Sequence, residues 1–358
     1  MTDTVLVTGG FGLVGTATVR RLAADGRSVV IADLETPANA KKAKTLPPGV
    51  VVRWADLTDP DQVQRLVSDV APAAIIHLAA IIAPAIYRMP KVARRVNVDA
   101  TGTLVRVAES QPTPPRLVHA SSNAVFGPRN PHRTPEPLTA DDAMRPCDVY
   151  SGTKAEAEEI VRSSTLEWVV LRFGAVLTTD LSTMPLSGDA MLFEGALPSD
   201  NRVQTVDVRD VARACAAATT ADVAGEILLI AGDDSHRTYY GDLTPAIVSA
   251  LGLPGAIPQG RPGDPNSDTD WFVTDWMDTT RAQEALQFQH YSWSDMMAEL
   301  STKFWFTRYW ARLLAPVVRE VMKRRSPYWN ADGRYADPWG VIGARLGDPS
   351  WDRPTERA

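Results

Sequence analysis

The sequence predicts an α/β protein built on a parallel sheet that carries helices on both faces. Short apolar, β-branched runs alternate with segments of helical periodicity through the first half of the chain. Strands separated by helices indicate βαβ units, in which the strands are parallel. The run "AAIIHL" is apolar throughout, which is typical of a strand covered on both faces of its sheet.

The predicted elements follow one another regularly as far as residue 120. Strands are expected at Val5–Thr8, Ser28–Ala32, Val50–Trp54, Ala74–Leu78 and Arg116–Ala120, and helices at Leu13–Asp25, Pro60–Val70 and Val92–Ser110. A long proline-rich loop, Gly127–Asp148, comes next, and loops of that length in compact domains are usually functional or mobile. After Val176 the alternation fades, which predicts a smaller and less regular second region.

Composition limits the function classes. The chain has 37 basic and 43 acidic residues, a net charge of −6, so it offers no bulk attraction to nucleic acid. Its two cysteines, Cys147 and Cys215, fit neither a metal site nor a disulfide framework, and they favour a reduced, cytoplasmic setting. The N-terminus shows no secretory signal pattern, and the apolar run Ala71–Tyr87 is expected to be a buried strand with its following loop rather than a membrane span.

The stretch "VLVTGGFGLVG" predicts a nucleotide-binding turn between the first strand and the first helix. Gly9 permits a tight turn, Gly12 lets a pyrophosphate approach the backbone, and Gly15 lets helix and strand pack closely. The helix N-terminus offers free N–H groups to the phosphates. Asp33 ends the second strand, where it would bind the adenosine ribose and repel a 2′-phosphate, so we expect NAD rather than NADP. Lys41, Lys42 and Lys44 follow closely and would soften this preference.

Seven motifs in order give the chain a family resemblance. They are "TGGFGLVG", "ADL" with Asp56, "HLAA" from His77, "NVDATGT" from Asn97, "ASSNAVFG" with Ser122, "YSGTK" from Tyr150, and "VDVRDVARA" from Val206. Together they resemble the extended branch of the short-chain dehydrogenase/reductase superfamily, the NAD-dependent epimerase/dehydratase group, between Val5 and about Leu300. The resemblance implies a doubly wound Rossmann sheet with NAD as its cofactor. The implied cofactor contacts are Gly9, Phe11, Gly12, Leu13, Val14, Gly15, Asp33, Asp56, Leu57, Leu78, Ala79, Ala80, Tyr150 and Lys154.

The same resemblance implies a domain division. Residues 1–175 would form the NAD-binding domain, with 203–233 returning to it. Residues 176–202 and 234–300 would form a smaller, partly interleaved substrate region, and residues 301–358 a helical C-terminal extension. Family members are commonly dimers through two long helices, so we expect a homodimer through Val92–Ser110 and the helix of Tyr150.

Tyr150 and Lys154 stand four residues apart, so they share one face of a helix. A nearby ammonium lowers the pKa of a phenol, which would make Tyr150 a usable base while hydride moves to nicotinamide. The resemblance implies that Ser122 holds the substrate oxygen, that Lys154 also binds the nicotinamide ribose, and that Asn97 positions a proton-relay water.

The sequence leaves the reaction open among oxidation or reduction of a secondary alcohol or ketone, nucleotide-sugar epimerisation, and a non-catalytic dinucleotide sensor or scaffold. Dehydratases carry an acidic pair where this chain has Asn123 and Ala124, and the usual diphosphate-binding arginine is displaced to Arg202. We therefore favour the dehydrogenase or reductase, acting on a small molecule. Candidate substrate contacts are Ile82, Asn123, Ala175 and His236, although a solvated loop is the simpler interpretation of His236. His77 is interpreted as a hydrogen-bonded core histidine, and no metal site is expected.

The C-terminal extension contains an amphipathic pattern. Apolar residues recur at helical spacing from Phe306 through Trp310, Leu313 and Val317 to Val321, with basic residues on the opposite side. A helix packed on the body or on a second subunit is the favoured interpretation. Contact of residues 303–325 with a membrane surface is the alternative. The following stretch "SPYWNADGRYADPWG" is expected to drape over the protein near the substrate cleft.

Overall fold

Two sheets organise the protein. The computed structural model describes residues 3–183, 187–303, 305 and 308–351, with only the backbone for 308–310. The main sheet contains β1 (Thr4–Thr8), β2 (Ser28–Asp33), β3 (Val51–Trp54), β4 (Ala74–His77), β5 (Arg116–Ser122), β6 (Trp168–Phe173) and β9 (Glu226–Ile230). The small sheet contains β7 (Ala175–Leu177), β8 (Arg202–Asp207) and β10 (Arg237–Tyr239).

Helices connect and cover these strands. They are α1 (Leu13–Ala24), α2 (Pro37–Ala43), α3 (Pro60–Val70), α4 (Ala85–Arg88), α5 (Pro90–Arg94), α6 (Ala100–Glu109), α7 (Val149–Arg162), α8 (Gly188–Ala196), α9 (Val208–Ala218), α10 (Tyr240–Ala250), α11 (Thr280–Leu286), α12 (Trp293–Lys303), α13 (Arg308–Arg325) and α14 (Pro338–Arg345). One turn of π-helix, Arg95–Asp99, joins α5 to α6.

The main sheet is wholly parallel, in the order β3-β2-β1-β4-β5-β6-β9. Side chains alternate across it, so Val5 and Val7 of β1 enter one apolar layer and Leu6 enters the other. All three side chains are fully buried, because helices cover both faces. The predicted doubly wound α/β fold is confirmed.

The strand order fixes where a ligand binds. The chain leaves β1 in one direction towards β2 and β3, and later returns to β4 on the other side of β1. In open parallel sheets, this reversal opens a crevice at the carboxyl ends of the strands. The nucleotide turn after β1, the loop after β4 and Ser122 at the end of β5 all lie at that edge.

Part of the second half returns to the main sheet. Strand β9 pairs with β6, and α9 packs against α1. Strand β8, which opens the predicted returning segment 203–233, instead pairs with β7 and β10 in the small sheet.

Two details of the first half differ from the sequence expectation. The predicted helix Val92–Ser110 is not continuous, since the π-helical turn interrupts it around Asn97. Helices α2 and α4, of 7 and 4 residues, were not predicted because such short segments show no periodicity.

The extension forms a helix and then a return across the body. Helix α13 confirms the predicted amphipathic helix, with Phe306 and the Trp310 side chain outside the described residues. The prediction that the apolar stripe packs on the body is wrong for Leu313 and Val317, because these side chains are 71% and 62% exposed. Among the described residues, no helix is long and apolar enough to cross a membrane.

Candidate active site

The glycine turn is shaped by close backbone approaches. Gly9 has a φ of +68°, and a Cβ there would lie 2.7 Å from the amide nitrogen of Ala79. A Cβ on Gly15 would overlap the carbonyl oxygen of Gly9. Helix α1 begins at Gly12 without any side-chain cap, so its first N–H groups face the crevice unblocked. This cradle fits a dinucleotide pyrophosphate.

Asp33 ties the turn to the end of β2. Its carboxylate accepts hydrogen bonds from the backbone N–H of Phe11 at 3.0 Å and of Leu34 at 2.8 Å. The Lys42 ammonium donates to the carbonyl of Phe11 at 2.7 Å, and the Phe11 ring stacks on Trp54. The predicted ribose-binding acid is therefore held at the edge of the crevice, with a cation close by.

The other predicted cofactor residues lie around the same turn. Leu13 and Val14 occupy the first turn of α1, and Leu78, Ala79 and Ala80 form the half-buried loop after β4. Asp56 follows β3, where its carboxylate accepts two hydrogen bonds from Thr58, and Leu57 beside it is buried.

Helix α7 begins at an elaborate cap. Asp148 accepts hydrogen bonds from the backbone N–H of Ser151 at 3.0 Å and of Tyr150 at 3.3 Å, and from the Tyr87 hydroxyl at 2.7 Å. The Ser151 hydroxyl also donates to this carboxylate. Asp148 is completely buried, and its burial raises the pKa of the carboxyl despite these donors. The cap fixes the first turn of the helix, which carries Tyr150.

The predicted catalytic side chains converge. The Ser122 hydroxyl lies close enough to the Tyr150 phenol to lower its pKa. Lys154 is 5% exposed, and its ammonium donates to the carbonyl oxygen of Ala120 at 2.7 Å. Strand β5 and helix α7 thus bring all three residues to one end of the sheet.

Burial governs the protonation of this group. It raises the pKa of Tyr150, an effect that the nearby Ser122 hydroxyl only partly offsets. Burial also lowers the pKa of Lys154 to about 8, although the nearby Glu158 carboxylate acts to raise it. The protein alone therefore does not produce the lowered phenol pKa that the spacing of Tyr150 and Lys154 predicts, because desolvation and the nearby Asp148 carboxylate both raise it.

A buried ion pair connects the strands and the helix that carry the candidate catalytic residues. The guanidinium of Arg172 on β6 binds the carboxylate of Glu158 on α7 at 2.5 Å, and the two side chains are 2% and 0% exposed. The Ser121 hydroxyl donates to the same carboxylate at 2.8 Å. This network links α7 to β5 and β6, directly beside Ser122.

Asn97 lies in the π-helical turn and is buried. Its amide donates to the carbonyl of Ile81 at 2.9 Å and to the Thr153 hydroxyl at 3.2 Å, and its oxygen accepts from the N–H of Ile81 at 2.8 Å. These bonds fasten the loop after β4 to α7. Both amide hydrogens are occupied, so the predicted relay water would have to use other atoms, and that role stays a prediction.

The four candidate substrate contacts differ in exposure and in their hydrogen-bond partners. Asn123 directly follows Ser122, is 4% exposed, and has no partner for its amide nitrogen among the described residues. Ile82 is 56% exposed beside the loop fastened by Asn97, and Ala175 is half-buried at the start of β7. His236 is completely buried and bonds Thr205 and the Tyr291 carbonyl through its two ring nitrogens. Neither a solvated loop nor a substrate contact fits His236.

His77 is buried and pairs with two threonines. Its ring nitrogens lie 2.7 Å from the Thr8 hydroxyl and 2.9 Å from the Thr101 hydroxyl. Burial lowers the pKa of His77 to about 3, so it is a neutral core histidine as expected. Within the described residues, no group of three or more potential ligand side chains could hold a metal ion.

No sequence pattern indicated the apolar wall beside Tyr150. Phe193 of α8, Phe272, and Ile342 and Leu346 at the end of the chain pack with Tyr150 in one cluster. Asp148 was also missed, although an Asp three residues before Ser151 is a typical helix-capping pattern. The extension residues show no comparable local signal.

Residues 5–182 match the family model described as the NAD dependent epimerase/dehydratase family. This segment covers the glycine turn, Ser122, Tyr150 and Lys154. This part of the chain belongs to that family. NAD is accordingly the cofactor, and the Gly9–Gly15 cradle and Asp33 fit it.

Relatives within the family differ in what they do. The chain is 30% identical over 168 residues to methionine adenosyltransferase 2 subunit beta of Rattus norvegicus, covering 45% of this chain and 48% of that protein. It is 32% identical over 166 residues to D-erythronate dehydrogenase of Cupriavidus necator, covering 43% and 48%. The chain thus spans about half the length of the curated relatives it matches.

Similarity to solved structures covers more of the chain than the family model does. UDP-glucose 4-epimerase of Thermus thermophilus, in complex with NAD, superimposes with a TM-score of 0.68 at 21% identity, covering 85% of this chain and 99% of that one. The epimerase/dehydratase fold therefore continues beyond residue 182 into the second half of the chain.

Proposed function

We propose that the protein is an NAD-dependent oxidoreductase that interconverts a secondary alcohol and a ketone. The observation that carries this proposal is the placement of Ser122 at the end of β5 beside Tyr150, with Lys154 buried one helical turn further on and bonded to the carbonyl of Ala120 on β5. Bound NAD supplies the acceptor for the hydride from the alcohol carbon, or NADH the donor in reverse.

The side chains have separate tasks in this proposal. Ser122 donates a hydrogen bond to the substrate oxygen and holds it beside Tyr150. Tyr150 takes the hydroxyl proton as the alcohol carbon gives up its hydride and the carbonyl forms, and it returns that proton in the reduction. Lys154, with a pKa of about 8, carries a positive charge at neutral pH, which favours the transient phenolate.

The hydrogen bonds of Arg202 favour the interpretation that the substrate carries no nucleotide diphosphate. Arg202 is 7% exposed and donates to the carbonyls of Thr134 and Pro131 at 2.9 Å, which fastens the proline-rich loop. Its guanidinium also lies over the Trp276 ring. An arginine held in this way is not free to bind phosphate. Asn123, with its unpaired amide nitrogen among the described residues, is the proposed polar contact to the substrate.

The deciding experiment follows NADH absorbance at neutral pH with a panel of secondary alcohols, sugars and steroids. We expect NADH to accumulate with at least one alcohol, and the Tyr150→Phe variant to lose about 10³-fold or more in kcat while still binding NAD. Tyr239→Phe is the matched control, since this half-exposed phenol lies on β10. Unchanged turnover in Tyr150→Phe would reject the proposed role.

Two other functions are distinguished by the same assay. A nucleotide-sugar epimerase, the activity named for the Thermus relative, would convert a UDP-sugar without releasing NADH. A sensor or scaffold, a role consistent with the rat relative's being named as a subunit, would bind NAD and turn over nothing. The complete set of Ser122, Tyr150 and Lys154 favours catalysis over that last alternative. The homodimer stays a prediction, to be checked by light scattering.

A further inference from the structure

Helix α13 exposes an apolar stripe to solvent. Leu313, Leu314, Val317 and Val321 are 71%, 58%, 62% and 43% exposed. At about 100° per residue they fall on one side of the helix. The helix contacts the body through a different side, on which Ala315 is 6% exposed. The stripe is therefore a second apolar face, beyond the one that the fold itself buries.

The charge of this helix is opposite to that of the rest of the molecule. Residues 308–325 contain six basic residues and one acidic residue, a net charge of +5 in a chain whose total is −6. The other residues together carry −11. Arg312 and Arg319 lie on the side of the helix opposite the apolar stripe, whereas Arg324 and Arg325, at the C-terminal end, lie on the same side as the stripe.

This charge favours an anionic lipid surface as the occupant of the stripe. Pairing of the stripe with the same stripe of a second copy would bring two helices of +5 together, which repel. Docking of the stripe on another face of a second copy would be head-to-tail and would build open chains. An anionic membrane offers both acyl chains for the apolar residues and phosphates for Arg324 and Arg325 beside them.

We propose that α13 binds the surface of an anionic membrane, lying in its plane with Leu313, Leu314, Val317 and Val321 in the acyl boundary. At about 1.5 Å per residue the helix is about 27 Å long, enough to lie along the surface with its whole stripe engaged. The contact is peripheral and independent of the catalytic proposal.

The test uses flotation of the full chain with vesicles. We expect binding to phosphatidylcholine vesicles that contain phosphatidylglycerol, weaker binding to phosphatidylcholine alone, and release at high salt. Val321→Gln should reduce binding to the anionic vesicles by about tenfold. Val51→Gln is the matched control, because Val51 on β3 is 42% exposed, nearly the same as Val321. Both variants should keep the wild-type thermal midpoint.

The charge is tested in parallel. Arg324→Gln combined with Arg325→Gln should weaken binding to anionic vesicles and flatten its salt dependence, whereas Arg53→Gln with Arg65→Gln, both exposed on the body, should not. Equal binding of Val321→Gln and Val51→Gln, or no binding of the wild type to either vesicle, would overturn the proposal. So would a wild-type oligomer that Val321→Gln abolishes in the absence of lipid binding, since a second copy would then occupy the stripe.

Discussion

The indole of Trp351 lies directly on Gly152, in the turn of α7 between Tyr150 and Lys154. A Cβ on Gly152 would overlap the indole ring. Two residues earlier, the carbonyl of Pro349 accepts a hydrogen bond from the N–H of Val149 at 2.9 Å. The end of the extension thus forms a strap across the first turn of the helix that carries the candidate base.

We predict that Gly152→Ala displaces the strap and lowers kcat about tenfold, with little change in the affinity for NAD. The new methyl group cannot coexist with the indole, and loss of the strap loosens the turn that holds Tyr150. In the Trp351→Ala background, however, the same substitution should stabilise the protein by about 0.5–1 kcal/mol, because alanine favours a helix over glycine. Thermal midpoints and kcat are measured for the wild type, the two single variants and the double variant. The effect of Gly152→Ala on stability should change sign between the two backgrounds.

Two controls accompany this cycle. Gly102→Ala adds the same methyl group to α6, where the nearest atom would lie at 3.4 Å, and it should not affect turnover. Removal of residues 352–358, which follow Trp351 in the sequence, should also leave turnover unchanged. Additive effects of Gly152→Ala and Trp351→Ala would show that the two residues act separately.

Lys154→Met should abolish activity and stabilise the fold at neutral pH. Burial lowers the pKa of Lys154 from 10.5 to about 8, so charging it destabilises the folded state below pH 8. That penalty fades as the pH rises from about 8 towards 10.5, where the lysine is neutral in both states. We expect the variant to gain about 1–3 kcal/mol at pH 7, less the lost hydrogen bond to Ala120.

Urea denaturation at pH 7 and pH 9.5 checks the sign. The advantage of Lys154→Met over the wild type should shrink at the higher pH. Lys91→Met, an exposed residue of α5, is the control and should change little at either pH. An advantage that does not vary with pH would mean that packing, not buried charge, is responsible.

Glu158→Gln should destabilise the protein strongly, by about 3 kcal/mol or more, because it leaves the Arg172 guanidinium buried without its counter-charge. Replacing both residues by leucine should recover most of that loss. The surface pair Arg324–Glu320, with side chains 68% and 49% exposed, supplies the control. Glu320→Gln should shift the urea midpoint by the equivalent of only about 0.5 kcal/mol.

Local patterns in the sequence were sufficient for the first five strands of the main sheet and for placing Tyr150 and Lys154 one helical turn apart. Strand β1, helix α3 and the Tyr150–Lys154 spacing carry their own periodicity, and the glycine turn requires its glycines for steric reasons found within a few residues. These features are set by neighbours along the chain, which a single sequence displays directly.

Features set by distant partners could not be predicted. His236 stands in a polar stretch that resembles a loop, yet contacts with Thr205 and Tyr291 bury it. Trp351 meets Gly152 across about 200 residues of chain, and nothing near either residue indicates the other. The pKa of Tyr150 belongs to the same class, because burial within the surrounding fold raises it.

Asp33→Asn should move cofactor preference towards NADP. The carboxylate is fixed by the N–H groups of Phe11 and Leu34, so it cannot swing away from a 2′-phosphate. Asparagine keeps an acceptor for Phe11 but removes the repulsion, and the Lys42 ammonium remains nearby to attract the phosphate. We expect the ratio of kcat/KM for NADP to that for NAD to rise about tenfold or more. Glu35→Gln removes the same charge from an exposed position two residues further on and should leave the ratio unchanged, whereas an equal rise in both variants would assign the effect to net charge alone.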